Sequence, residues 1–190
     1  MVGLSNIFKI VGQACTNFVR EEKAAIVREK QTKSLLEAIM ASDSDKVEAL
    51  LKAGVDADAP STMGNTPLTC AISLRATQRT PESLKVLELV LARVTDIDGI
   101  TKDSSYLLMA AQIGVAEAAA ELLRRGCDMT VKGWGGRDAL CFATENGHKS
   151  VADLIVAAAQ QRNEACAANM HAGLDKPIVA RKRLRLKTFS

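Results

Sequence analysis

A period of about 33 residues is the feature that most constrains how this chain can fold. Leu35 and Leu68 are separated by this interval, as are Leu107 and Leu140, and similar apolar patterns surround each leucine. The middle step, from Leu68 to Leu107, is longer because the second unit has an insertion within SLRATQRTPES. A period of this length predicts an array of similar units that bury their apolar faces against each other.

Each unit has the pattern of two short helices. The third unit, SYLLMAAQIGVAEAAAELLRRG, shows it most clearly, because Gly114 separates two apolar stripes at helical spacing. Gly147 follows Gly114 by the same interval and divides the fourth unit in the same way. The sequence therefore predicts four helix pairs.

Start signals for helices recur at the same place in the units. In GNTPLTCAI, Thr66 is a good N-cap and Pro67 fits a first helical turn, which predicts a helix from Leu68. Ser105 and Asp138 can cap in the third and fourth units, whereas Lys33 cannot cap in the first. A short helix pair needs a defined entry geometry because it is stable only when stacked on its neighbours.

These motifs resemble those of the ankyrin-repeat family over about residues 31–162. The matching motifs are Thr66-Pro67-Leu68 for T-P-L, Gly54-Val55-Asp56 and Gly126-Cys127-Asp128 for G-A-D, and Gly147-His148 for G-H. Thr69 stands where the family usually has His. The resemblance implies an all-α ankyrin-repeat solenoid of four helix-turn-helix units, in which the ring of His148 joins one repeat to the next.

Composition agrees with an all-helical fold and sets the expected domain bounds. Hydrophobic residues make up 47% of the chain but aromatic residues only 3%, so the helices must pack mostly through Ala, Leu, Val and Ile. We expect an N-terminal amphipathic helical segment at 1–32, an ankyrin-repeat domain at 33–162, a helical extension at 163–174 and a basic tail without fixed structure at 175–190.

The N-terminal segment presents an apolar face that needs a cover. The predicted contact residues of this helix are Leu4, Ile7, Phe8, Val11 and Phe18. The face either packs on the first repeat as a capping helix or contacts a partner's groove or a membrane surface. Because few cations flank it, protein is favoured over lipid.

The C-terminal tail concentrates positive charge. Its cations include Arg181, Lys182, Arg183, Arg185 and Lys187, with no acid after Asp175. Such a run fits a nuclear import signal, a secretion address, nucleic-acid binding or no specific role. Nucleic-acid recognition is disfavoured because Phe189 is the only aromatic residue beside these cations.

The residues that carry chemistry are sparse. The five cysteines form no C-x-x-C pair and the two histidines have no metal-ligand spacing, so we expect neither a metal site nor a disulfide framework. We interpret the cysteines as buried apolar residues in a reducing, cytoplasmic setting, with nuclear or host-cell delivery through the tail as alternatives. No catalytic, phosphate-loop or dinucleotide motif is present. We therefore predict a protein without enzyme activity or cofactor.

The resemblance also implies where a partner protein binds. Ankyrin proteins usually bind through finger tips and the outward positions of first helices, and the Gly-rich run 132–137 is predicted to be a β-hairpin finger with Trp134 exposed. The implied contact residues are Thr62, Met63, Asn65, Leu74, Ser104, Gln112, Ile113, Trp134, Arg137, Glu145 and Asn146. The predicted function is a non-catalytic adaptor, regulator or inhibitor; the alternative is a peripheral membrane or targeting protein that uses the N-terminal helix.

Overall fold

The computed structural model describes residues 4–101 and 104–174, with side chains described at 20–99 and 105–164. The elements are α1 (Leu4–Met40), α2 (Ser44–Lys52), α3 (Pro67–Thr77), α4 (Pro81–Leu91), β1 (Ile100–Thr101), β2 (Ser104–Ser105), α5 (Tyr106–Ile113), α6 (Ala116–Arg125), a 3-10 helix (Trp134–Gly136), α7 (Ala139–Glu145) and α8 (Lys149–Leu174). The strands β1 and β2 pair antiparallel, with Ile100 opposite Ser105 and Thr101 opposite Ser104. Apart from this short ladder, the regular secondary structure of the described residues is helical, which confirms the predicted all-α class.

The helices pack as four consecutive pairs in two rows. Helices α1, α3, α5 and α7 each contact the next in that order, and α2, α4, α6 and α8 do the same in the second row. Of the four leucines in register, Leu35, Leu68 and Leu107 are at most 2% exposed. Leu140 is only half-buried because α7 belongs to the last described pair, where no further described helix covers one face of the core.

The predicted N-caps are present. The side chain of Thr66 accepts a hydrogen bond from the Thr69 N–H at 3.3 Å, and Thr69 Oγ1 accepts one from the Thr66 N–H at 3.0 Å. This reciprocal capping box satisfies two backbone donors that the helix itself cannot pair. Helix α3 begins at Pro67, one residue earlier than predicted, and Ser105 and Asp138 cap α5 and α7.

Helix α1 runs without a break through the predicted boundary at residue 32. Lys33 lies inside the helix, so the first unit needs no N-cap at that position. Residues 20–31 are exposed except for half-buried Ala24, and Thr32 is the first buried residue among the described side chains. Over 20–31, α1 therefore does not cover the first pair as a cap. The predicted contact residues between Leu4 and Phe18 lie outside the described side chains.

Helix α8 continues past residue 162, where the repeat domain was predicted to end. It extends to Leu174 and so includes the predicted extension at 163–174. The guanidinium of Arg162 donates a hydrogen bond to the Cys127 carbonyl at 2.9 Å, which places Arg162 beside the end of α6. The basic tail at 175–190, with Arg181, Lys182, Arg183, Arg185 and Lys187, lies outside the described residues.

Candidate protein-binding surface

The loop at 61–65, which leads into α3, is closed by its own backbone. The N–H of Ser61 donates to the Asn65 carbonyl at 2.8 Å, and the N–H of Gly64 donates to the Ser61 carbonyl at 2.8 Å. Gly64 has a φ of +82°, a conformation that glycine adopts without strain. The turn leaves Met63 at its tip, 86% exposed.

The loop at 133–137 leads into α7 and has the same hydrogen bonds. The N–H of Gly133 donates to the Arg137 carbonyl at 2.8 Å, and the N–H of Gly136 donates to the Gly133 carbonyl at 3.1 Å. Trp134 takes the place that Thr62 has in the first loop and is 78% exposed. Both loops precede a capped first helix, so they lie along one edge, which we call the loop edge (residues 61–65 and 133–137).

The predicted β-hairpin at 132–137 is wrong. The segment Trp134–Gly136 forms a 3-10 turn, and Gly135 and Gly136 both have a φ of +71°. Two successive left-handed residues reverse the chain within one turn. Gly133 and Arg137 on either side are extended and share one backbone hydrogen bond, but no strand forms at 132–137.

The base of the 133–137 loop is fastened to α7. The guanidinium of Arg137 lies 2.6 Å from a Glu145 carboxylate oxygen and 5.5 Å from the centroid of the Phe142 ring. The ion pair is half-exposed, so it contributes at most about 1 kcal/mol. These contacts hold the 133–137 loop in place against α7 and leave Trp134 exposed.

Most of the predicted contact residues lie on the surface. The exposed ones are Thr62, Met63, Asn65, Gln112, Trp134, Arg137, Glu145 and Asn146. Ile113 is half-buried and packs on the core, and the side chain of Ser104 is not among those described.

Leu74 is the predicted contact residue that the structure contradicts. It is 4% exposed, so no partner reaches it. The reason is the position of α3, which is packed against α1, α4 and α5 at once. A helix that has neighbours on three sides has almost no outward face, and its second apolar stripe belongs to the core.

A groove between α1 and the 61–65 loop was missed from the sequence. It has a volume of about 810 Å³, and Arg28, Leu36, Met40, Pro60 and Met63 are among its lining residues. Met40 is 62% exposed, so the groove offers apolar surface to a ligand. The available signal was the spacing of Leu36 and Met40, which are one helical turn apart on one face of α1. It was overlooked because its two walls, α1 and the 61–65 loop, belong to different units, and the predicted boundary at 32 divides the α1 wall between two segments.

His148 makes the link between neighbouring pairs that the resemblance implied. Its Nε2 lies 3.2 Å from the carbonyl oxygen of Gln112, and its ring packs against Gly114 at the end of α5. The ring thus joins the turn of the last pair to the turn before it.

The carboxylate of Asp138 caps the N-terminus of α7, so this helix end offers no site for an anion. The N–H of Cys141 donates to the Asp138 carboxylate at 2.9 Å, and this hydrogen bond holds the pKa of Asp138 below its usual range. An anion at the Gly-rich loop would meet this negative charge. Within the described residues, no group of three or more His, Cys, Asp or Glu is arranged to hold a metal ion. None of the described helices is both long and apolar enough to cross a membrane.

The cysteines differ in burial more than the sequence suggested. Cys127 is 1% exposed and Cys70 half-buried, but Cys141 is exposed, so the prediction of a buried thiol is wrong for Cys141. Cys141 lies on α7 in the last described pair, on a face that none of the described side chains covers. The side chains of Cys15 and Cys166 are outside those described.

Thiol alkylation should separate Cys127 from Cys141. Burial raises the pKa of Cys127 to about 11, so at pH 8 roughly one chain in a thousand carries that thiolate. We expect iodoacetamide to modify Cys141 at least about ten times faster, as measured by peptide mass spectrometry over time. In urea the two rates should converge, and equal rates in the folded protein would contradict the burial of Cys127.

The described residues thus define a repeat-like, all-helical protein whose loops project along one edge. No family model matches the chain. It is similar to neurogenic locus notch homolog protein 2 of Homo sapiens and of Mus musculus, with 33% identity over 104 residues. The matched segment covers 54% of this chain and 4% of each relative, so the similarity concerns a small part of those proteins.

Proposed function

We propose that the four helix pairs are ankyrin repeats and that the protein is a non-catalytic module that binds another protein. Three features support the repeat assignment: the 33-residue interval that recurs between leucines in register, the capped T-P-L start at Thr66, and the packing of consecutive pairs in two rows. The similarity to a notch homolog, a protein that contains ankyrin repeats, agrees with it.

The exposure of Trp134 is the observation that carries the binding proposal. A tryptophan side chain that is 78% exposed contributes little to the stability of the fold. Its loop is nevertheless held at the base by the ion pair between Arg137 and Glu145. Trp and Arg are the residues most enriched where interfaces gain their affinity. Because the loop is already ordered, a partner that buries Trp134 loses little conformational entropy.

The two loops and the groove beside Met63 indicate how long a surface a partner would contact. Helices α3 and α7 are separated by α5, so Met63 and Trp134 lie roughly 20 Å apart at a spacing of about 10 Å between packed helices. A folded partner domain spans that distance, and the groove beside Met63 has room for one of its apolar side chains or a short segment. We therefore propose a folded protein as the partner. We place it in the cytoplasm, with nuclear or host-cell delivery as the alternative.

Replacing Trp134 with alanine tests this surface. We expect the partner's Kd to rise by about thirtyfold, the equivalent of roughly 2 kcal/mol, because the truncated side chain no longer fills the partner's pocket. The melting temperature should stay nearly unchanged, since Trp134 buries little. The partner is first identified by affinity capture and mass spectrometry, and its affinity is then measured by calorimetry.

Val156 provides the control for this experiment. It is also an exposed apolar residue, at 40%, but it lies on α8 in the other helix row. Val156→Ala should leave the partner's affinity unchanged. Equal effects of the two substitutions, or a parallel loss of affinity and stability in Trp134→Ala, would contradict the proposed surface.

Exposed apolar residues on α1 favour one second candidate, membrane-surface binding. Ile26 and Val27 are 53% and 52% exposed on a part of the helix that the first pair does not cover. An amphipathic helix lies in the lipid interface when such residues share a face with cations on its flank. Co-sedimentation with anionic vesicles tests it, with the full chain compared with a chain that carries Ile26→Ser and Val27→Ser, and equal sedimentation of both forms excludes it.

A further inference from the structure

A second groove lies in the other helix row, between α4 and α6. Its floor is apolar and includes Leu87, Leu91 and Ala120, while Glu88 and Glu121 are among the charged residues at its rim. The volume is about 430 Å³. We call it the α4–α6 groove. It is separate from the loop edge, which belongs to the first helices.

The rim of the α4–α6 groove is acidic. Its ionisable residues are Glu88, Glu117, Glu121 and Arg124, and together with Arg75, which pairs with Glu117, the three acids and two bases leave a net charge of −1. Glu117 pairs with Arg75 at 2.6 Å and Glu121 with Arg124 at 2.7 Å. Among the described residues, Glu88 has no ion pair. An apolar floor with an acidic rim suits a ligand that alternates leucine with arginine or lysine.

We propose that the chain's own residues 178–187 bind in the α4–α6 groove. Their sequence, IVARKRLRLK, ends in a strict alternation of cation and leucine from Arg183 to Lys187. In an extended segment, alternate side chains point to opposite faces, so Leu184 and Leu186 face the floor together. Arginine and lysine have long apolar stems, which let their charged ends bend back toward carboxylates at the rim.

The connection is long enough for this contact. Helix α8 passes the end of α6 at Arg162 and continues to Leu174, which is about 18 Å farther along its axis. The groove reaches the same end of the row, because Ala92 and Arg124 line it. The tail must return about 18 Å along the row and cross one to two helix spacings of about 10 Å. Ten extended residues span up to about 33 Å, which brings Leu184 into the groove.

Net charge provides the driving force. Residues 1–175 carry 19 basic and 22 acidic groups, whereas residues 176–190 carry six basic groups and no acid. Attachment to the same chain supplies an effective concentration in the millimolar range, so even a weak contact is populated. Occupied by the tail, the groove is closed to other basic segments, which makes the tail an internal competitor for that surface.

Zero-length carbodiimide cross-linking of the full chain tests the proposal. Lys182 and Lys187 supply amines, and peptide mass spectrometry identifies the carboxylates to which they are joined. We expect links to Glu88, Glu117 or Glu121 to exceed links to Asp153 and Glu164, which are exposed on α8 and closer to the tail in sequence. A mixture of unlabelled and 15N-labelled chains separates links within a chain from links between chains. Mostly inter-chain links, mostly links to α8, or no links would each overturn the proposal.

Two variants separate groove binding from general charge attraction. A chain with both Leu184→Ser and Leu186→Ser keeps every tail charge, and we expect its links to the groove to fall by about fivefold because the apolar contact is lost. Arg124→Gln removes the cation that pairs with Glu121 and so leaves this carboxylate free for the tail. We expect this variant to raise the links to the groove about twofold. Unchanged links in the serine variant, or fewer links in Arg124→Gln, would contradict binding in the groove.

Discussion

Replacing Gly114 with alanine is expected to lower the free energy of unfolding by about 3 kcal/mol or more. Gly114 ends α5 with a φ of +78°, a conformation that costs an L-residue roughly 1–2 kcal/mol. A Cβ at this position would also lie 2.4 Å from Nδ1 of His148, far inside van der Waals contact. The ring cannot move away freely, because its Nε2 is bound to the Gln112 carbonyl. Urea denaturation measures the loss.

Gly147 separates the backbone cost from the steric cost. It occupies the corresponding turn of the next unit with a φ of +72°, but a Cβ there would meet nothing within 4 Å. Gly147→Ala should therefore cost only the backbone part, roughly 1–2 kcal/mol. Adding His148→Ala to the Gly114→Ala chain should restore part of its stability. If the two glycine variants are equally destabilised, the close contact with His148 is not what matters.

Replacing Leu107 with alanine should cost about 3–5 kcal/mol. Leu107 is 2% exposed on α5, the helix between α3 and α7, so neighbours surround the cavity that the substitution leaves. Large-to-small changes at such sites lose both transfer free energy and packing around the cavity. Chemical denaturation followed by circular dichroism measures the change.

Leu140 is the matched position in the last described pair. It follows Leu107 by one full unit of the repeat but is only half-buried, so its truncation leaves a dent that water fills rather than a closed cavity. We expect Leu140→Ala to cost less than about 2 kcal/mol. A cost as large as that of Leu107→Ala would show that another part of the chain covers α7.

The helix starts and the helix pairs could be predicted because they depend on residues that are close together in the sequence. The caps at Thr66, Ser105 and Asp138 depend on residues within one helical turn of one another, so the sequence contains the whole interaction. The helix pairs follow from apolar spacing, which is local too. These are the features that the structure reproduces within a residue or so.

The errors arose where distant parts of the chain meet. Leu74 looked like an outward residue because its own helix does not show that α1, α4 and α5 surround it. The groove between α1 and the 61–65 loop combines Met40 with Met63 across two units. The α4–α6 groove combines Leu87 with Ala120. A search for sequence motifs finds neither groove. Trp134 was placed on the surface from its register alone, but the turn that presents it depends on two glycines in left-handed conformations.

The unbroken course of α1 has a mechanical consequence. From Arg20, where the described side chains begin, to Thr32, the first buried one among them, the helix advances about 18 Å. A continuous helix of that length acts as a stiff spacer, because bending it would break its backbone hydrogen bonds. A molecule bound near Arg20 would thus be held at a fixed distance from a partner at the loop edge.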